Sequence, residues 1–283
     1  MKIILIDSSS PAGYHKSRKS GYFYQEVYAM VLTVHIDNRV LSLAAYDGEE
    51  QTVYTSIGTD LLATADQLAA AMHTVLTFRG IDTDAIEGAV ISSVVPSLTR
   101  TAQCAAGQLA AGKVLVVGAG IRTGLNLRVD SAGTVGSDFI ATAIGALHEF
   151  TPPLIVINLA GATTFSAIDK GGVLIGRSVL PGVESALEHL CQSSAQLPLV
   201  SFDPRAPLIG RGTVDAVKSG ALYGAISMLD GMTARYIAEL GENAAVTATG
   251  EIAGVLAPLC SHTVLFRPRL LHDGLRLLYQ KNR

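Results

Sequence analysis

The chain has 283 residues, 49% of them hydrophobic, a length that suits two similar lobes or one large α/β unit and leaves ample apolar material for a core. A formal net charge of −3, with no run of five like charges, supplies no field to gather nucleic acid or an anionic membrane. Three widely spaced cysteines, Cys104, Cys191 and Cys260, build neither a disulfide framework nor a thiolate metal site and read as small buried hydrophobes, and no apolar run approaches the roughly 20 residues of a membrane helix, so a cytoplasmic, soluble protein is expected.

Residues 1–29 read as an N-terminal extension: a strand-like run 2–6, a polar stretch carrying Lys16, Arg18 and Lys19, then four aromatics ending at Tyr28. From Val31 the pattern becomes regular. Val31 to Ile36, Val40 to Tyr46 and Thr52 to Ile57 predict three antiparallel strands joined by tight turns. Leu68, Met72, Val75 and Leu76 then share one face at helical spacing within 65–78, after Thr64 and Asp66 and before Gly80. Gly88 to Val95 is short, almost wholly apolar and β-branched, which suits a buried parallel strand.

The same order recurs about 120 residues later. Leu154 to Leu159, Thr164 to Ile168 and Val173 to Leu180 predict a second set of strands, with a helix from about Gly182 to Cys191 and a late strand Ala245 to Thr249. Between them, residues 213–240 carry Val217, Ala221, Ala225, Met228, Met232 and Tyr236 on one stripe, the mark of a long helix. The expected architecture is α/β: two related lobes, 30–150 and 151–283, of mixed sheets flanked by helices, each opening with a hairpin whose turn faces a shared cleft. Backbone N–H groups in such turns cradle phosphates, although a two-lobed binding protein has the same outline.

The bend Gly118 to Gly124 leads through Asp130 to Gly136-Ser137-Asp138, where a helix carrying Ile140, Ile144 and Leu147 should begin. A carboxylate there can orient and deprotonate a hydroxyl, or simply cap the helix. Thr213 carries the same ambiguity as a ligand contact or a cap of the long helix.

With the blocks Ile91-Ser92-Ser93-Val94-Val95-Pro96, Gly118 to Gly124, Gly136-Ser137-Asp138, Gly161-Ala162-Thr163-Thr164-Phe165, Leu180-Pro181-Gly182-Val183, Ile209-Gly210-Arg211-Gly212-Thr213, Thr249-Gly250 and Leu271-His272-Asp273-Gly274-Leu275, the stretch 30–282 resembles the type III pantothenate kinases. These belong to the actin, sugar-kinase and heat-shock ATPase superfamily, with ribonuclease-H-like lobes. The resemblance implies transfer of the ATP γ-phosphoryl group to the primary hydroxyl of pantothenate, on the route to coenzyme A, in a homodimer using Mg²⁺ and a monovalent cation, K⁺ or NH₄⁺. It makes Asp138 the catalytic base and Gly136, Ser137, Asp138, Phe139 and Thr213 the positions around the small-molecule substrate. It sets Asn38, Arg39, Gly161, Thr163 and Thr164 at the nucleotide and Asn158 at the cation.

Several of these positions depart from the family pattern. Asp-X-Gly-Asn-Thr after the first strand is here His35-Ile36-Asp37-Asn38-Arg39, so that a glycine has become an acid that repels phosphate and a carboxylate has become an imidazole poorly suited to hydrated Mg²⁺. Asp-Phe-Gly-Thr in the second hairpin is Asn158-Leu159-Ala160-Gly161, which removes the cation's aspartate and a threonine at the nucleotide. The arginine after the catalytic aspartate is Phe139, a substrate tyrosine is Val129, and Arg177 and Glu251 stand where glycines are usual. Three functions are therefore expected in competition, with turnover impaired or lost: a kinase of pantothenate or another small alcohol; a non-catalytic paralogue that keeps the fold as a regulatory or partner subunit, pairing with an active relative; and an altered binding module or enzyme whose apolar Val129 and Phe139 accept a less polar ligand. The run after residue 6, Asp7-Ser8-Ser9-Ser10, is a crude copy of a phosphate loop and the weaker candidate for that role.

Overall fold

The computed structural model describes residues 30–283; the extension 1–29, with its phosphate-loop-like run, lies outside the described residues. Strands β1 Met30–Ile36, β2 Val40–Asp47 and β3 Glu50–Gly58 form two successive antiparallel pairs. Helix α1 Ala65–Phe78 starts in a capping box: the Thr64 hydroxyl accepts the Gln67 N–H and the Gln67 side chain accepts the Thr64 N–H. It stops at Gly80, whose φ of 81° only glycine adopts without strain. Strand β4 Ile86–Ser93 lies parallel to β1, α2 Pro96–Leu109 takes a proline in its first turn, and β5 Val114–Val116 adds the last strand of a five-stranded sheet ordered β3-β2-β1-β4-β5.

The chain then passes through β6 Asn126–Leu127 and α3 Ser137–Glu149 into β7 Leu154–Leu159, β8 Ala162–Ile168 and β9 Val173–Pro181. Helices α4 Val183–Ser193 and α5 Thr213–Leu240 follow, then β10 Ala245–Thr249, α6 Ala253–Leu256, β11 Leu265–Phe266 and α7 Leu270–Asn282. The second sheet has the order β11-β10-β7-β8-β9-β6, so its outermost strand comes from the segment preceding α3.

Helices α3 and α7 lie between the two sheets. Val31 and Val90 of the first sheet and Val156 and Ile168 of the second share one apolar cluster with Ile140, Ala143, Leu271, Leu275 and Leu278. The two helices touch backbone to backbone: a Cβ on Gly274 would collide with the Ala141 carbonyl, and one on Gly145 with the Leu270 carbonyl. The C-terminal helix thus returns to the first sheet.

Its contact there is polar. Thr33 donates to the Ala44 carbonyl (3.1 Å), so its oxygen must accept from His272 Nδ1 (2.7 Å), which leaves Nε2 to accept from Ser42 (3.0 Å). Burial holds His272 neutral, its pKa down at about 3.

Two details differ from the sequence reading. The long helix has a second apolar face beyond the expected stripe: Val217, Ala221, Ala225 and Met228 line a groove against α4, while Leu222 and Leu229 join Ile155, Ile157 and Val246 of the second sheet, because α5 packs on a sheet and on a helix at once. Of the cysteines only Cys191 is buried; Cys104 is exposed on α2 and Cys260 partly so.

Candidate active site

Helix α3 starts at Ser137, with Gly136 as its N-cap and no side-chain cap. Asp138 is therefore in the first turn and not the cap, which corrects the alternative expected for it. The Ser137 hydroxyl is engaged elsewhere, accepting the Ser93 N–H (3.1 Å) and lying 2.8 Å from Ser92 Oγ, which pins α3 to the end of β4. Burial pushes the Asp138 carboxyl above its usual pKa, against the pull of His35 and of the Phe139 N–H, and its buried Oδ1 has no hydrogen-bond partner among the described residues. An orphaned carboxylate oxygen beside a titratable ring is the electrostatic mark of a functional site.

His35, at the end of β1, is the neighbour that sequence reasoning treated only as a lost ligand. Its Nδ1 lies 3.2 Å from Ser92 Oγ, and burial lowers its pKa against the upward pull of Asp138 and Asp37. The turn after it is closed on itself. Asp37 Oδ1 accepts the Asn38 backbone N–H at 2.7 Å, and Asp37 Oδ2 sits 3.0 Å from where a Cβ on Gly161 would stand. The first turn thus touches the second through a carboxylate. Arg39 crosses to α4 and pairs with Glu188 at 2.8 Å, but both side chains are about half exposed, 54% and 45%, so this pair contributes only about 0–1 kcal/mol.

On the second hairpin Asn158 and Thr164 are register partners, and both reach a small cavity also lined by Asp138, Phe139, Thr142, Val156 and Ser166. Its volume is about 10 Å³, room for one water molecule. Thr142 and Thr163 Oγ1 are buried without partners among the described residues. Gly161 is exposed, braced by Ser185, which donates to its carbonyl, and by Gly182, whose missing side chain lets the start of α4 sit on the 160–161 backbone.

Asp138, Asn158, Thr164, Asp37 and Gly161 therefore gather in one place, with Asn38 and Arg39 at its rim. His35 and Asn158 offer no carboxylate to a divalent cation, which leaves that role to Asp37 and Asp138, and no group of three His, Cys, Asp or Glu side chains converges among the described residues. A nucleotide phosphate would meet an Asn38 N–H that already donates to Asp37.

Next to Asp138, Phe139 is half-buried and the Arg177 guanidinium lies 5.1 Å over its ring while donating to the Thr134 carbonyl at 3.1 Å. Thr213 stands apart. It is the exposed first residue of α5, with Gly212 as the N-cap, which corrects its reading as a cap. It lines an open groove of about 550 Å³ between α4 and α5 with Leu187, Leu190, Ala216, Gly220, Gly224 and Met228.

Comparison with known proteins identifies relatives over most of the chain. The family described as Type III pantothenate kinase matches residues 31–235. A type III pantothenate kinase of Brevibacillus brevis is 33% identical over 89% of this chain and 99% of its own length, and one of Geotalea daltonii is 33% identical over 90% and 99%. The fold is shared with a solved protein of Campylobacter jejuni described as a conserved putative Baf family transcriptional activator, with a TM-score of 0.54, 16% identity, and 89% of this chain and 98% of that one covered. With its two-sheet α/β fold, the chain belongs to the type III pantothenate kinase family.

Proposed function

We propose that this chain is a pantothenate-type phosphotransferase of strongly impaired turnover, intact on the acceptor side and closed on the nucleotide side. The observation that carries the reading is the Asp37 carboxylate, bonded to the N–H of the turn and pressed against Gly161. Phosphoryl transfer depends on positioning and charge neutralisation more than on covalent help, so an acid in the phosphate cradle and a cation position reduced to Asn158 remove most of the catalysis.

What the chain keeps is Asp138. With a carboxyl made more basic by burial and His35 beside it, Asp138 can accept the proton of an acceptor hydroxyl placed against its unpartnered Oδ1. Bound MgATP would supply the phosphoryl group.

Supporting assembly as a pair is the α4–α5 groove, apolar and bordered by Ala216, Gly220 and Gly224, which let another backbone approach closely. We take its occupant to be a second copy; an active paralogue would meet the same chemistry, and the protein acts in the cytoplasm. The test is formation of phosphorylated pantothenate from ATP. A rate at least about a thousandfold below that of the Brevibacillus brevis relative, abolished by Asp138→Asn, is expected; a comparable rate overturns impairment.

A further inference from the structure

Resting on the acceptor-side reading of Asp138, we propose that Arg177 is the cation that receives an acceptor's carboxylate, reaching from β9 to the first turn of α3, where Phe139 supplies a ring and no charge. Val156, Ser166 and Arg177 are directly paired across β7, β8 and β9, so their side chains project from the same face of the second sheet. Val156 and Ser166 line the cavity beside Asp138, so this row points at the first turn of α3. The Arg177 guanidinium reaches that turn: it lies over the Phe139 ring and donates one N–H to the Thr134 carbonyl.

A guanidinium has five N–H donors in a planar fork, and stacking on a ring holds the plane without consuming its edge. Arg177 makes no ion pair among the described residues, whereas Arg39, Arg128, Arg267 and Arg269 all do. A fixed, half-buried cation with free edge donors, beside a carboxylate suited to take a hydroxyl proton, selects an acceptor with a hydroxyl at one end and a carboxylate at the other. Phe139 has a role in this arrangement as the platform that orients Arg177.

The test compares pantothenate with its alcohol analogue, in which a hydroxymethyl replaces the carboxylate, by calorimetric titration of the full chain. The wild type is expected to bind pantothenate at least tenfold more tightly than the alcohol. Arg177→Gln should erase that preference with little effect on the alcohol, and adding Phe139→Arg should restore it. A preference that survives Arg177→Gln, or a wild type that binds both equally or neither, overturns the proposal. Circular dichroism and melting of each variant report folding separately. Arg177-dependent binding without phosphorylated product would sink the kinase reading and leave the carboxylate site standing; product formation indifferent to Arg177 would do the reverse.

Discussion

Asp37 stands one residue before the Asn38 backbone N–H, and its own carboxylate accepts that N–H. Asp37→Gly removes the charge, frees the Asn38 N–H and opens the face of Gly161. MgATP affinity should rise at least about tenfold, read by fluorescence titration with a labelled nucleotide, since each tenfold corresponds to only about 1.4 kcal/mol, well within the value of one charge-assisted hydrogen bond. Asp138 gives a second test. Its pKa is raised in the fold, chiefly by burial, so stability is fullest at low pH and falls as pH rises through the ordinary carboxylate range near 3.8 up to the folded value. Asp138→Asn should therefore melt higher than wild type at pH 7 and at about the same temperature at pH 3, measured by thermal unfolding. Asp138 is legible from its place after Gly136-Ser137. The contacts of Asp37 and Arg39 are not, because Gly161 and Glu188 lie more than a hundred residues away and nothing local encodes which turn meets which.

Helix α7 illustrates what the element scale adds. His272 is neutral and fully hydrogen-bonded, with a pKa down at about 3 against an ordinary 6.5. The unfolded chain takes up a proton that the fold refuses, so this residue contributes stability above pH 6.5 that is lost as pH falls toward 3, by about 1.4 kcal/mol per pH unit at most. His272→Leu should flatten that acid limb in urea unfolding series. The crossing of α3 and α7 depends on Gly274, where an added methyl meets the Ala141 carbonyl, and Gly274→Ala should destabilise by about 1–3 kcal/mol in the same series. Element 65–78 is legible because a capping box and Gly80 bracket a clear period, and 213–240 because its apolar stripe runs uninterrupted for many turns; the polar docking of α7 is not, since its partners Thr33 and Ser42 are ordinary strand residues until the helix returns.

At the scale of the whole molecule, two sheets sandwich α3 and α7, and the turns of their hairpins meet at Asp37 and Gly161. The α4–α5 groove faces outward. Added side chains at Gly220 and Gly224 meet nothing within 4 Å, so Gly224→Arg should leave the fold intact yet convert a dimer to a monomer in sedimentation velocity; a monomeric wild type would contradict self-association through this groove. The repeat and the family are legible in the order of the sequence blocks, whereas closure of the cleft arises only when the two halves pack. The most direct single measurement is thermal unfolding of the wild type with Mg²⁺ and millimolar ATP. A nucleotide side closed by Asp37 predicts no change in melting temperature; a shift worth roughly 2.7 kcal/mol, as expected at a hundred times Kd, would mean that phosphate displaces the carboxylate and that the cradle is open.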